Sequence, residues 1–302
     1  MPYTRIQGEF RIVKTNPDGD TVRFYPDDPA VWDTIPGPVP IQIRGPGGAN
    51  LRLEGIDALE THFDPPFVGG GVLHQPKAQA EGAAAELLRL LGFDPVQRTP
   101  SGEVKPPTNP AAVRGYVLTR GGDRLGRCIA FTGPGAGPDA DADGNVFFTP
   151  AILHETVNHK LLAKGHVYPT FYRSLFPDLR NDMTATARKA QADGEGLWPL
   201  DKTQEPTVVV GPPEVSKDVI LPKFYRRLGE YVLLNDGDPD LGGFVVFLLA
   251  RPTRSPSFPP GTPAPASTSL SRSTTARSAG PTTSRTSSST TEPADRLSPQ
   301  TE

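Results

Sequence analysis

Leu51-Arg52-Leu53-Glu54-Gly55-Ile56 reads as a strand that points Leu51 and Leu53 to one side and Arg52 to the other. Toward the N-terminus, Pro26 to Gly48 is a Pro- and Gly-rich loop with room for an edge strand at Pro40 to Arg44. Thr21 to Tyr25 alternates as a second strand, Asp18-Gly19-Asp20 is a turn before it, and Glu9 to Lys14 reads as the first strand. Toward the C-terminus, a helix follows Pro76. Its apolar residues Ala80, Ala84, Leu87, Leu88 and Leu91 recur at helical spacing, and Gly92 stops it. Val113 to Thr119 and Arg127 to Thr132 are two more strands, joined through Gly121-Gly122-Asp123. A second helix starts at Thr149-Pro150, buries Leu153, Val157 and Leu161, and ends at Gly165. A third runs from Asp178 to Asp193 with Leu179, Met183, Ala187 and Ala190 inward, and Gly194 follows it. Five short strands, one helix after the third and two at the end predict a mainly β fold with helices: a five-stranded OB-fold barrel with three helices.

The chain has 302 residues, 36% of them hydrophobic, with 36 Pro and 31 Gly. That composition predicts an unstructured part, and residues 252–302 fit it: Ser, Thr, Pro, Ala and Arg with almost no large apolar side chains. Residues 201–216 read as a linker and 217–251 as a short helical extension, with Phe224, Leu228, Val232 and Phe244 to Leu249 supplying apolar faces. The net charge of -3 gives no global basic footprint for nucleic acid, so such a ligand needs a local positive site or a metal. The single Cys128 excludes an internal disulfide and a thiolate zinc cluster. The longest apolar run, Phe244 to Ala250, is too short to span a bilayer, and no signal-peptide pattern opens the chain. The expectation is a cytoplasmic protein with no membrane association and no obligate protein partner.

Three stretches carry chemistry together: Asp18-Gly19-Asp20-Thr21-Val22, Arg52 through Thr61, and Asp123-Arg124-Leu125-Gly126-Arg127. Phosphodiester hydrolysis needs a hard cation held by oxygen ligands, a base within reach of the attacking water, and fixed donors for the charge that develops on phosphorus oxygens. Carboxylates from separate segments supply the first two, and arginine's planar fork supplies the third.

In order and spacing these stretches resemble the staphylococcal nuclease (thermonuclease-like) family: a DGDT turn, an R-L-x-x-I-D-x-x-E-T strand end and a G-R before a strand. The similarity spans Gly8 to Trp198, including Val157-Asn158 and Gly196-Leu197-Trp198, and marks 8–200 as the nuclease-like domain. It implies an OB-fold enzyme that cuts DNA and RNA with calcium, leaving 3′-phosphate ends. Carried over, Asp20 and Asp57 are the calcium carboxylates, with the Ala58 carbonyl as a further ligand. Glu60 is the general base, and Arg52 and Arg127 grip the phosphate and stabilise the transition state. The chain departs from the family pattern at Ala58, Leu59 and Leu125, where Thr, Pro and an aromatic are usual, and carries long insertions around 31–48, 62–74 and 93–110.

The rival expectation is a catalytically silent OB-type module that binds nucleic acid or a protein, since such modules can lose catalysis and keep binding. A third places the function in Lys217 to Arg251. Asp139 to Gly144 imitates the start of an EF-hand loop, but Pro150 stands where that loop needs a bidentate carboxylate. Gly133, Gly135 and Gly137 lack dinucleotide-binding spacing and read as loop. His154-Glu155 with His159 looks like a zincin helix, but that motif needs the second His four residues on; five turns it to another face, which argues against zinc, and the histidines read as solvent-facing or lightly packed. Phe171 and Tyr172 either stack on bases or pack in the core. His74 and Gln75 read as structural.

Overall fold

The computed structural model describes residues 2–65, 69 and 71–250; the tail expected to be disordered lies outside them. In chain order the strands are β1 (Pro2–Phe10), β2 (Thr21–Pro26), β3 (Ile43–Arg44), β4 (Gly48–Leu53), β5 (Ile56–Asp57), β6 (Val113–Gly122), β7 (Cys128–Pro134), β8 (Asn145–Phe147) and β9 (Tyr168–Pro169). The α-helices are α1 (Lys77–Leu91), α2 (Pro150–Glu155), α3 (Val157–Ala163), α4 (Pro177–Ala192), α5 (Pro222–Leu234) and α6 (Phe244–Ala250).

Five strands close into a barrel. β1 pairs antiparallel with both β2 and β6, β6 pairs with β7, β7 runs parallel to β4, and β4 returns to β2. Alternate residues fill the interior, among them Phe10, Val22, Phe24, Leu51, Leu53, Val117 and Ala130, all essentially inaccessible. β3 and β8 extend the barrel as short edges on β4 and β1, and β5 pairs with β9 in a small separate sheet. α1 lays Ala80, Ala84, Leu87, Leu88 and Leu91 inward and ends at Gly92, whose φ of 102° permits the left-handed cap.

Three elements differ from the sequence expectation, the first being the strand expected from Leu51 to Ile56, which is β4 ending at Leu53 and, beyond Gly55, the separate β5. The first strand lies at Pro2–Phe10, not Glu9 to Lys14, because Tyr3, Ile6 and Phe10 are the buried residues; Lys14, at φ 58°, turns the chain away after it. The expected single helix from Pro150 to Gly165 is two helices. Thr156 adopts an extended conformation between them (φ -74°, ψ 152°), and its hydroxyl donates to the Leu153 carbonyl at 2.6 Å and accepts from the His159 amide at 3.3 Å. Buried threonine thus caps a new helix instead of continuing the old one.

Beyond Asp201 the chain stays bonded to what precedes and follows it. Lys202 N donates to Val219 O at 2.8 Å, and Val209 bridges to Ser216. Two helices follow, as expected for the extension. α5 buries Tyr225, Leu228 and Val232 in a second apolar cluster with Leu73, Val215, Ile220 and Phe244. Leu73 belongs to the loop after β5, so this cluster fastens the extension beside the segment that carries Glu60.

Candidate active site

Gly19 and Gly55 set the geometry. A Cβ on Gly19 would fall 2.6 Å from the Ala58 Cβ and 2.7 Å from the Ala83 Cβ, so only glycine lets the turn before β2 pack against the end of β5 and α1. Gly55, at φ 82°, bends the chain from β4 into β5. Asp20 and Asp57 thereby meet across Arg52, whose Nη1 lies 2.8 Å from Asp20 Oδ2 and whose Nη2 lies 2.6 Å from Asp57 Oδ1. Asp20 also accepts from the Ala58 amide at 2.7 Å and from the Thr21 hydroxyl at 3.1 Å.

Arg226 completes the cluster from α5. Its Nη2 lies 2.8 Å from Asp57 Oδ2, and its Nη1 donates to Glu60 Oε1. Glu60 is held from behind as well. Its amide donates to Gln75 Oε1 at 3.2 Å, and Gln75 Nε2 reaches the Ile220 carbonyl at 2.7 Å. Tyr225 adds a second fastening, its hydroxyl lying 2.6 Å from His74 O and 3.1 Å from Glu214 O. Gln75 is therefore structural in the sense expected, and it ties the Glu60 loop to the extension.

The electrostatics follow from burial and crowding. Burial raises the Glu60 carboxyl above its ordinary range; Arg226 opposes this, while Asp20 and Asp57 reinforce it. Asp18 is pushed up to about 8 by burial and by the neighbouring Asp20 and Glu60. Burial also works against the Arg52 charge, but Asp20, Asp57 and Asp18 outweigh it and hold the guanidinium more firmly protonated. Four carboxyl groups, Asp18, Asp20, Asp57 and Glu60, thus crowd around two guanidinium groups, Arg52 and Arg226. The donors are hard oxygens, the ligand type that calcium prefers, but the two guanidinium groups already hold both oxygens of Asp57 and Oδ2 of Asp20.

Arg127 is set apart from this ion-pair network. The parallel register that pairs Leu51 with Cys128 puts Arg127 level with Asn50, on the same face as Arg52. Its Nε donates to Asp123 Oδ2 at 2.8 Å. Arg44, Arg124 and Arg127 line an open groove of about 620 Å³ together with Gln42 and Asn50. Phe171 packs against the barrel core, whereas Tyr172 is exposed, with the Lys223 ammonium 4.9 Å from its ring centre.

The five residues Asp20, Arg52, Asp57, Ala58 and Glu60 come together as the sequence expects, although the Ala58 group engaged here is its amide, bonded to Asp20. Arg226 was outside the expected site. Its only sequence signal is a cationic residue beside the buried Tyr225 on an amphipathic helix, which says nothing of where that helix docks. No protein-family model matches the chain, and no curated protein matches it. Among the described residues, no helix is long and apolar enough to cross a membrane.

Proposed function

We propose that the chain is a calcium-dependent nuclease of the thermonuclease-like kind, hydrolysing phosphodiester bonds of DNA or RNA. The observation that carries this reading is the convergence of Asp20, Arg52, Asp57 and Glu60, from separate stretches of sequence, in one ion-pair network at the end of β4. Asp20, Asp57 and the Ala58 carbonyl would hold calcium, which supplies positive charge to the phosphate and to the attacking water. Glu60 takes the proton of that water through a carboxylate that Arg226 orients at Oε1. Arg52 meets the phosphate oxygens with a fork already aligned by two carboxylates, and Arg127 meets the substrate from the adjoining groove. Departure of the 5′-oxygen, which takes up a proton and becomes a 5′-hydroxyl, then leaves a 3′-phosphate end. Arg44 and Arg124 extend the positive groove along the strand, a local answer to the chain's net negative charge.

A second reading has one observation in its favour. Arg226 and Arg52 already partner Asp57 on both oxygens, so the cluster carries much of its own countercharge. On that reading the barrel binds nucleic acid in the arginine groove without cutting it. Cleavage of denatured DNA by the full chain, with calcium or with a chelator, separates the two. Calcium-dependent cutting that falls at least roughly a hundredfold in Glu60→Gln supports the nuclease. DNA binding with no cutting under any divalent metal sinks it in favour of the binding module.

A further inference from the structure

The break at Thr156 has a chemical result for the two histidines that flank it. On one continuous helix, residues five apart point roughly 140° from each other. Here α2 ends at Glu155 and α3 starts afresh at Val157, and the two imidazoles instead face each other. Their ring centres lie 4.2 Å apart with the planes tilted by 31°. The objection to zinc drawn from the five-residue spacing therefore fails, because it assumed an unbroken helix.

Both rings turn toward Asp182 on α4. His154 Nε2 lies 2.9 Å and 3.0 Å from the two Asp182 oxygens, and His159 Nε2 lies 3.6 Å from Oδ1. One ligand atom from each of the three residues falls within 4.8 Å of the others. Zinc bonds to imidazole nitrogen at ~2.0–2.1 Å and to carboxylate oxygen at ~2.0–2.2 Å, so neighbouring ligands of a tetrahedral ion stand about 3.3–3.5 Å apart. The His–Asp separations of 2.9–3.6 Å bracket that edge, and the two histidine ligand atoms lie within 4.8 Å of each other. Asp182 is held in place because Leu179 and Met183, on either side of it along α4, are buried in the core. Thr186, one turn further on, has its hydroxyl 2.9 Å from His159 Nε2, a bond that gives way when that nitrogen takes a metal. His154 is half exposed, which leaves an entry path and an open coordination position.

We propose that His154, His159 and Asp182 form a binding site for a borderline divalent transition metal of the zinc class. Two imidazoles and one carboxylate select zinc, cobalt or nickel over calcium, whose preferred ligands are all oxygens. The site shares no residue with the Asp20–Asp57 cluster and does not depend on the nuclease reading. Its ligands come from α2, α3 and α4, so a bound ion clips the broken helix pair to α4 and leaves one position to water.

The test uses the full chain, stripped of metal, titrated with zinc by calorimetry and with cobalt by visible absorption. One equivalent of zinc binds, cobalt gives ligand-field bands, and zinc raises the melting midpoint. His154→Ala, at an exposed position that leaves the core intact, and Asp182→Asn each weaken zinc binding at least about tenfold. Asp20→Asn, in the other cluster, leaves it unchanged. Absence of stoichiometric zinc uptake by the wild-type chain overturns the proposal. So does uptake that is equally tight in His154→Ala and Asp182→Asn, or uptake that is lost in Asp20→Asn.

Discussion

Asn158 is the side chain through which the helices grip the barrel, and its removal should cost more than a typical buried residue. It is fully inaccessible, and its amide makes three bonds to backbone. Nδ2 donates to Glu54 O and Ala130 O, both at 2.9 Å, and Oδ1 accepts from Thr132 N at 3.1 Å. These bonds join α3 to β7 and to the Glu54-Gly55 turn that leads into Asp57. Asn158→Ala removes all three, at about 1 kcal/mol each, and adds a desolvation penalty for the groups left unpaired. Ala130 O retains the Glu54 amide at 2.8 Å, so the penalty falls mainly on Glu54 O and Thr132 N. A loss of about 3–5 kcal/mol follows, a large share of the ~5–15 kcal/mol that holds a folded chain. Urea unfolding of the full chain, followed by far-UV circular dichroism, measures it. A loss below about 1 kcal/mol with an unchanged slope would refute the reasoning, since water would then be replacing the amide at no penalty.

Glu54 sets a pH dependence outside the candidate site. Burial pushes its carboxyl up to about 7 from an ordinary 4.5, with Arg120 opposing. Glu54 thus holds a proton in the folded chain that it releases in the unfolded one, so its contribution to stability falls as pH rises from about 4.5 to about 7 and is level above that. Glu54→Gln should flatten this segment and add up to about 3 kcal/mol above pH 7; superimposable pH profiles of the two proteins would count against it. Tyr225→Phe removes the hydroxyl bonds to His74 O and Glu214 O and should cost about 1–3 kcal/mol in urea melts, against no change if α5 were held by its apolar face alone. Arg226→Gln should destabilise the calcium-free chain by about 3–5 kcal/mol and enlarge the rise in melting midpoint on adding calcium. An equal calcium shift in mutant and wild type would show that arginine and metal do not answer the same charge.

The barrel was legible where a strand has one buried face, as in β2 and β4, whereas β6 and β7 are buried on both faces along 115–119 and 130–133. Leu51 and Leu53 alternate with Arg52, and Val22 and Phe24 alternate with Thr21, Arg23 and Tyr25, so period and register are fixed by burial. β1 was misplaced because its pattern starts with Tyr3, near the terminus, while the apolar Ile12 beyond it is buried outside the sheet. The helix break was hidden for a different reason. Leu153, Val157 and Leu161 keep helical spacing across it, and only the buried hydroxyl of Thr156, which a sequence does not mark as buried, ends one helix and caps the next. Asp20 stands in a turn, and Arg52, Asp57 and Glu60 lie within one short stretch after it, so the residues were singled out as two short motifs in order along the chain. Arg226 reaches Glu60 from 166 positions away, and no local spacing carries that contact.

That long-range contact changes how the candidate site balances its charge. Without Arg226, Asp57 and Glu60 would sit largely buried, with Arg52 bonded to Asp57 but not to Glu60. Burying an unmatched carboxylate is costly enough that the group takes up a proton instead, and a protonated Glu60 is no base. Arg226 lowers that tendency, so it favours the ionised Glu60 that the nuclease reading requires. The same guanidinium lies where added positive charge is attracted, and so it competes with a cation for Asp57. The extension therefore cannot be neutral toward the barrel. By docking α5 through Tyr225 and Leu228 it favours ionised Glu60, and on the nuclease reading its removal should leave Glu60 harder to ionise and a cation more strongly drawn to Asp57.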